Sequence, residues 1–444
     1  MARKGFETHA RIGQYRLPLA IASSLLILGV LGCAVNDTWA DDASLPAERD
    51  TPTDIAQEPG DAMPSETLPE LDDRLVVAHN TFGFNLFSQI LSSAGDENVM
   101  ISPSSVAIAL AMTYNGASGE TQDAMAQALE LQGMSLDEIN QANAALETLL
   151  EQADPQVKIG IANSLWGREG VSFDEEFLQR NQTYYNAEVQ RLDFADANAT
   201  DIINEWVSDS TEGRIPQIVQ RIQPEQVLFL INAVYFNGTW SNPFDPDLTQ
   251  DQSFNLADGS SQMVPMMRQA GRFRYTETDQ FQAVHLPYGD RRLSMVVVLP
   301  REGVSLSDFQ QTLTPENWDT WQTATGNREG MVQLPRFESE FGTQLNDALK
   351  ALGMERAFDP NTAEFDGMSQ DAALYISDVQ HRTFIKVDEA GTEAAAATSV
   401  GIGTTSVPMD PPFQMVCDRP FFYAIQDNET GAILFMGTVT NPVS

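Results

Sequence analysis

The side chains best suited to acid–base or nucleophilic chemistry are few and lie far apart in this sequence. They are His79, His285, His381 and Cys417. No Gly-x-Ser-x-Gly turn, Walker loop, dinucleotide-binding glycine pattern or His-Glu-x-x-His pair accompanies them. Because they stand in largely apolar stretches, we expect hydrogen-bonded core histidines and a buried, inert thiol. The sequence predicts neither a metal site nor a cofactor, and a secreted hydrolase assembled only in three dimensions is the remaining enzymatic interpretation.

The most unusual stretch of the sequence consists mostly of small residues without reactive side chains. Residues 389–406 have the sequence EAGTEAAAATSVGIGTTS and follow a predicted strand. Four consecutive alanines favour a helix, but no apolar face accompanies them, and Gly391, Gly401 and Gly403 oppose one. A loop of this length is uncommon in a compact domain and is usually functional. Its residues are small and, after Glu393, uncharged, so the loop could join a β-sheet as an additional strand.

Composition narrows the class of protein. The chain has 444 residues, with 63 Asp and Glu against 25 Lys and Arg, for a formal charge of −38. A hydrophobic fraction of 42% is sufficient for a large core and excludes disorder for most of the chain. The negative charge disfavours binding to nucleic acid or to an anionic membrane surface. Two cysteines cannot build a disulfide framework or a thiolate metal cluster.

Residues 1–33 have the pattern of a signal peptide, in which basic residues precede an apolar run at 17–32. The run is short for a membrane-spanning helix. It ends at residues 30–33 (VLGC), which resemble the lipobox of bacterial lipoproteins. That resemblance implies a diacylglyceryl group on Cys33, which would hold the protein at a membrane through its lipid anchor alone. Secretion with cleavage after Ala40 is the alternative, and both place the protein outside the cytoplasm.

Residues 34–73 are predicted to be a disordered acidic linker. Between 36 and 73 the chain has 12 acidic residues, a single arginine and five prolines. Such a segment cannot bury enough apolar surface to fold. Residues 74–444 are predicted to be one folded domain, and the absence of a repeat of about 20–50 residues excludes a solenoid.

Hydrophobic spacing assigns helices and strands to this domain. A strand at 98–103 leads into a helix that Pro103 begins and Ser102 caps. The strand at 226–236 is almost entirely apolar, as expected for a strand covered on both faces. The other predicted helices are 75–92, 120–130, 136–152, 174–186 and 199–210, and the other predicted strands are 157–166, 263–268, 293–299, 331–337, 382–388 and 431–438. These elements predict an α+β fold with large mixed β-sheets surrounded by helices.

Eight short segments occur in this order along the folded part of the chain: 98–103 (NVMISP), 116–121 (GASGET), 232–240 (NAVYFNGTW), 285–289 (HLPYG), 334–337 (LPRF), 418–421 (DRPF), 435–437 (FMG) and 441–442 (NP). In these segments and in their order, the sequence resembles the serpin family of serine protease inhibitors over about residues 75–444. Two positions depart from the family pattern, Asn237 where lysine is usual and Met415 where phenylalanine is usual. The resemblance implies a serpin-like fold with an exposed reactive-centre loop at about 389–412, and the lipoprotein-like leader suggests a bacterial type.

The resemblance also implies a suicide inhibitor. A target serine protease attacks the loop and forms an acyl-enzyme, and the cut loop then inserts into the large sheet as a new strand. The loop hinge would comprise Glu389, Gly391, Thr392, Ala394, Ala396 and Thr398. Because side chains alternate along a strand, those at 392, 394, 396 and 398 would face the core, and all four are small and uncharged.

Counting from the hinge by the length usual in the family places the cut between Thr405 and Ser406, with Thr404 or Ser406 as alternative donors of the acyl group. Thr405 is small, β-branched and neutral, which suits the pockets of elastase-like and subtilisin-like proteases. No Arg or Lys lies between Lys386 and Arg419, so trypsin-like targets are disfavoured. Cysteine proteases are secondary candidate targets.

The large sheet must open to accept the loop. By the resemblance, four residues match the family's shutter and nearby breach cluster and a fifth matches its breach tryptophan: Ser102, Ser105, Asn232, His381 and Trp240. Polar groups within apolar strands must pair with one another when they are buried. The pairing is interpreted either as a latch between two sheet states or as a static core network.

Two functions are compatible with such a fold. The first is a covalent, loop-inserting protease inhibitor that is tethered outside the membrane. The second is a non-inhibitory binding or storage protein whose loop is only a protease substrate, which the alanine-rich hinge disfavours. We expect a monomer with a risk of polymers, in which one molecule's loop inserts into a neighbour's sheet.

Overall fold

The computed structural model describes residues 71–223, 225–392 and 411–443. Its α-helices are α1 (Asp73–Ala94), α2 (Pro103–Tyr114), α3 (Gly119–Ala128), α4 (Leu136–Glu151), α5 (Glu175–Tyr185), α6 (Ala199–Ser210), α7 (Leu306–Gln310), α8 (Pro315–Thr323) and α9 (Asn346–Leu349). Its strands are β1 (Val99–Ile101), β2 (Val157–Arg168), β3 (Glu188–Leu192), β4 (Leu228–Thr239), β5 (Gln250–Asn255), β6 (Ser261–Glu277), β7 (Phe281–Pro287), β8 (Leu293–Pro300), β9 (Gly326–Pro335), β10 (Phe337–Gln344), β11 (Asp378–Val387), β12 (Gly391–Thr392), β13 (Phe413–Val416), β14 (Phe421–Asp427) and β15 (Ile433–Val439).

The first β-sheet has the strand order β10-β11-β12-β4-β2-β3. Strand β4 pairs antiparallel with β2 on one side and parallel with β11 on the other. We call the parallel pair, residues 229–235 of β4 and 378–384 of β11, the central seam. Residues 228–236 of β4 are all buried, which confirms the prediction of a strand covered on both faces.

The second β-sheet has the order β1-β15-β14-β8-β7-β6-β9-β13, and β5 pairs beside β6. Strands β8, β14 and β15 are buried along their whole length. Strand β6 is 17 residues long and pairs with β5 near its start, with β9 along its middle and with β7 near its end. This long strand therefore lies beside β5, β9 and β7 in turn.

Helix α2 is buried along its whole length and contacts β2, β4 and β15, so it links the two sheets. Pro103 lies in its first turn, as predicted. Ser102 stands at the N-cap position but its side chain makes no capping hydrogen bond, so the prediction of a side-chain cap was wrong. The backbone N–H of Ser102 instead donates to a histidine of β11.

The α+β class and the main helices agree with the sequence prediction, whereas several strands do not. The predicted strand 331–337 was wrong, because it spans the end of β9 and the start of β10, with Arg336 between them. Strands β3, β5, β7, β13 and β14 were not predicted; β7 and β14 are apolar and buried, whereas β5 buries a single side chain, Phe254. The polar strands β3 and β5 are fixed by pairing with distant segments, which local apolar spacing does not encode.

A lateral cleft of about 390 Å³ lies where α4, α5 and α6 meet β2. Its lining includes Glu147 and Glu151 of α4, Asn163 of β2 and Trp206 of α6. Burial, with a smaller contribution from the charge of Glu151, raises the pKa of the Glu147 carboxyl to about 7. A carboxyl group with a raised pKa binds its proton more tightly in the folded chain than in the unfolded one, so its contribution to stability falls as pH rises from about 4.5 through 7.

We predict that Glu147→Gln stabilises the protein increasingly with pH, because glutamine has no proton to lose. Relative to the parent, the free energy of unfolding should change little at pH 5 and rise by up to about 2–3 kcal/mol at pH 8. Glu205→Gln, on the exposed side of α6, is the control and should show no such trend. Urea unfolding at both pH values measures this, and parallel pH profiles for the two variants would contradict the burial of Glu147.

Candidate functional site

At one end of the central seam, which we call its upper end, the short strand β12 separates β4 from β11. Beyond residue 384, β11 and β4 no longer pair with each other, and β12 lies between them. Thr392 of β12 stands opposite Val387 of β11 and Gly238 of β4, antiparallel to both. The first residues after β11 therefore turn back and begin a new strand in the middle of the sheet.

Gly391 is required where the chain turns into β12. A Cβ atom at this position would lie 2.1 Å from the carbonyl oxygen of Gly238 and 2.7 Å from the Cα of Thr239. Both are backbone atoms and cannot rotate away. The predicted hinge glycine thus allows β12 to approach β4 closely.

A buried polar cluster lies lower in the seam, where β4 faces α2. The side-chain amide of Asn232 donates to Ser105 Oγ at 2.5 Å and to Asn163 Oδ1 at 2.6 Å. Asn232 Oδ1 lies 2.5 Å from His381 Nδ1, and the backbone N–H of Ser102 donates to His381 Nε2 at 3.2 Å. We call these five residues the seam cluster; it joins β2, β4, β11 and the start of α2.

The hydrogen bonds define the state of His381. Because Nε2 accepts from a backbone N–H, the ring proton is on Nδ1, which donates to Asn232 Oδ1. His381 is fully buried, and burial lowers its pKa to about 3, although the bond to Asn232 opposes the shift. The ring is therefore neutral at physiological pH and acts as a bridge between strands.

Aromatic residues hold the turn before β12. The indole N–H of Trp240 donates to the carbonyl oxygen of Asp388 at 2.9 Å, and its ring stacks on Tyr288 with 4.3 Å between centroids. The hydroxyl groups of Tyr288 and Thr392 lie 2.8 Å apart. Thr392 is fully buried, so its side chain points to the interior.

An ion pair anchors the same turn. The carboxylate of Glu389 is 6% exposed and accepts from Arg336 Nε at 2.7 Å and from Thr249 Oγ1 at 2.5 Å. Burial opposes its ionisation, but the hydrogen bonds from Arg336 and Thr249 outweigh it and hold the pKa of Glu389 below its usual value. Together, Trp240, Tyr288, Arg336, Glu389 and Thr392 form what we call the loop anchor.

The structure brings together four predicted residues, Ser102, Ser105, Asn232 and His381, and places Trp240 at the separate loop anchor. Ser102 takes part through its backbone rather than its hydroxyl. The predicted residues Cys33, Ala394, Ala396, Thr398, Thr405 and Ser406 lie outside the described residues. Sequence reasoning missed Asn163, although an amide in an apolar strand is a signal, and it missed the partners of Glu389.

The other candidate chemical groups are not part of this site. Cys417 is a buried free thiol whose pKa is raised by burial. His79 and His285 are buried as predicted, but the Nδ1 atom of each has no hydrogen-bond partner among the described residues. The expectation of hydrogen-bonded core histidines therefore holds for His381 and not for these nitrogens.

We predict that Asn232→Ala destabilises the protein by about 3 kcal/mol, because it leaves the buried groups of Ser105, Asn163 and His381 without partners. Asn163→Ala removes one acceptor and should have a cost of about 1 kcal/mol. In a double-mutant cycle, Asn232→Ala and Ser105→Ala should show a coupling of about 1 kcal/mol. Urea unfolding measures each value. Small, additive effects would show that the seam cluster does not hold the sheet.

Comparisons with known proteins agree on one family. The family model for "Serpin (serine protease inhibitor)" matches residues 77–442. An uncharacterized serpin-like protein of Thermococcus kodakarensis is 38% identical over 385 residues, which is 85% of this chain and 88% of that protein. Antithrombin-III of Mus musculus is 33% identical over 445 residues, covering 94% and 95% of the two chains.

A solved structure gives the same result. The thermophilic serpin tengpin in its native state matches with a TM-score of 0.77 and 34% identity, over 84% of this chain and 96% of that one. This chain therefore has the serpin fold and belongs to the serpin family.

Proposed function

We propose that this protein inhibits serine proteases by inserting its cleaved loop into the central seam. The observation that carries the proposal is the position of β12, which already lies between β4 and β11 at the upper end of the sheet. A strand that has begun at this place can lengthen in one direction, down the seam. Lengthening requires β4 and β11 to separate along residues 229–235 and 378–384.

The register of β12 defines which loop residue would meet the seam cluster. Thr392 is opposite Gly238 and Val387, and each further loop residue would be opposite a residue one position earlier on both antiparallel neighbours. Six positions on, Thr398 would lie between Asn232 and His381. The inserted strand would break the hydrogen bond between these two side chains, and the hydroxyl of Thr398, pointing to the same face as Thr392, could bond to either of them.

The same register sets the length of the insertion. The seam ends where Phe229 pairs with Asp378, and the loop residue that would reach this pair is Gly401. Thr405 lies four positions further along the chain. At ~3.3 Å per residue, an acyl group on Thr405 would move ~40 Å from the upper end of the sheet toward its lower end. About a dozen new ladder hydrogen bonds at ~1 kcal/mol each give on the order of 10 kcal/mol to drive the movement.

The proposed reaction begins as ordinary proteolysis. The hydroxyl oxygen of the protease serine attacks the Thr405 carbonyl carbon, the bond to Ser406 breaks, and the new amine of Ser406 takes the proton. The ester between Thr405 and the protease is trapped when insertion distorts the protease active site before water attacks. A neutral β-branched residue at 405 supports an elastase-like or subtilisin-like target, with cysteine proteases as secondary candidates.

We predict that the full chain forms an SDS-stable complex with elastase or subtilisin and that trypsin forms little. Mass spectrometry of the released peptide should show a new N-terminus at Ser406. Ala396→Arg places a charged side chain toward the core and should turn the inhibitor into a substrate, raising the number of molecules cleaved per protease inhibited at least tenfold. Ala397→Arg, one position along and facing outward, should leave that number nearly unchanged.

The alternative function gives a different result in this experiment. A non-inhibitory binding or storage protein would be cut in the loop by all proteases that accept the sequence, without any SDS-stable adduct. Loop cleavage without an adduct in the parent and in both arginine variants would support it. An adduct that forms equally in Ala396→Arg would contradict loop insertion while leaving covalent inhibition in place.

We also propose that the protein acts outside the cytoplasm, held to a membrane by lipid on Cys33. The support is the signal-like leader and the VLGC sequence at residues 30–33. Among the described residues, no helix is both long enough and apolar enough to span a membrane. Metabolic labelling with a palmitate analogue, compared between the parent and Cys33→Ser, tests the attachment.

An open seam also exposes each molecule to its neighbours' loops. We predict that mild heating below the unfolding transition converts the monomer into polymers, measured by size-exclusion chromatography. Ala396→Arg should suppress this conversion, because the same inward position must enter the neighbouring sheet, and Ala397→Arg should not. A parent protein that remains monomeric would contradict a readily opened seam.

A further inference from the structure

We propose that a second cleft, whose lining includes no residue of the seam cluster, binds a small anion that carries two or more negative charges. The cleft has a volume of about 950 Å³ and lies where β6, β7 and β9 meet the turn between β7 and β8. We call it the arginine cleft, after Arg272, Arg274 and Arg291 in its lining. Its lining also includes Trp240 of the loop anchor.

The charge of the lining is opposite to that of the protein. In a chain with a formal charge of −38, three arginines line this cleft and no Asp or Glu does so among the described residues. Within the same ranges, their guanidinium groups form no ion pair, whereas the adjacent Arg292 pairs with Asp427 at 3.0 Å. Three arginines without an ion pair in one concave place form a local positive field within a negative surface, which Glu329, opposite Arg272 on β9, partly offsets.

The strand register places Arg272 and Arg274 on the same face of the sheet. Arg274 stands directly opposite His285 of β7 and opposite Asn327 of β9, so the three side chains share one face of the sheet, with neighbouring Cβ atoms about 5 Å apart. Arg272 is two residues earlier on β6 and therefore lies on the same face. The two guanidinium groups can approach one ligand from adjacent positions.

The third arginine comes from a different element. Arg291 has a φ of 78°, a left-handed conformation that is uncommon for a residue with a side chain. Two hydrogen bonds hold it there: its N–H donates to the Tyr288 carbonyl at 2.7 Å, and Asn428 Nδ2 donates to the Arg291 carbonyl at 3.0 Å. The fold thus fixes the backbone of Arg291 at the edge of the cleft.

A buried nitrogen in the lining lacks a partner. His285 is 3% exposed, yet its Nδ1 makes no hydrogen bond within the described residues. A buried polar atom without a partner carries a penalty of about 1–3 kcal/mol. Because His285 lines the cleft opposite Arg274, this unpaired polar group lies beside the arginines.

The ligand class follows from the guanidinium groups and from the surrounding charge. Guanidinium binds carboxylate and phosphate oxygens in pairs, so both phosphate esters and polycarboxylates share the required chemistry. A long polyanion would extend over the acidic surface and be repelled, because charges interact over a Debye length of about 8 Å at physiological salt. A compact anion lies within the arginine cleft and avoids that repulsion.

Isothermal titration calorimetry of the full chain at constant ionic strength, with citrate and with pyrophosphate, tests the proposal. We expect saturable binding of at least one anion with a Kd below 1 mM; binding of citrate alone would assign a carboxylate ligand, and binding of pyrophosphate alone a phosphate ligand. The double variant Arg272→Gln/Arg274→Gln should weaken binding at least tenfold, and Arg291→Gln at least threefold. Arg268→Gln is the matched control, since Arg268 is exposed on the same strand but outside the cleft.

Absence of saturable binding by either anion would overturn the proposal. So would equal weakening by Arg268→Gln and by the double variant, because that result would show a general charge effect. Unchanged binding in both the double variant and Arg291→Gln would place the anion elsewhere on the protein.

Discussion

The parallel pairing of β4 with β11 is the interaction on which the rest of this structure depends. These strands are close in space but distant in sequence, because the chain between Thr239 and Asp378 builds most of the second sheet before it returns. Their contact is therefore maintained by ladder hydrogen bonds and by the seam cluster rather than by a short connection. Such a contact can open while the elements on either side stay intact, since each strand keeps its partner on the outer side.

The chemistry of the seam cluster suits a contact that holds and then releases, as the proposed mechanism requires. A purely apolar seam would lose packing contacts on opening, and an inserted strand could not replace them with specific hydrogen bonds. The hydrogen-bonding groups of Asn232 and His381 need partners in any buried state, so a strand that supplies a hydroxyl in the correct register can take over the bonds that it breaks. An inserted strand must also enter in the correct register. The loop anchor at the upper end meets this requirement, because it fixes Thr392 and thereby the register of the loop residues that would follow it.

The sequence alone predicted the α+β class, the apolar central strand and the helix that begins at Pro103, because these follow from local periodicity and from proline and apolar content. Four of the five members of the seam cluster were named through the family resemblance, and their hydrogen bonds required the structure. Asn163 and the partners of Glu389 were missed because they depend on which distant segments become neighbours. The arginine cleft was missed for the same reason: Arg274 and His285 are opposite each other only through the register of β6 with β7. Strands β3 and β5 carry too little apolar pattern to be recognised from local sequence.

A crystal structure of the chain after cleavage in its loop is the most direct test of the account. We expect β12 to extend from Gly391 to about Gly401 between β4 and β11, with Thr398 between Asn232 and His381 and the direct bond between those two side chains broken. If the cleaved chain still shows residues 229–235 paired with 378–384, as they are in the intact protein, the seam is a static contact and the proposed inhibitory mechanism is wrong.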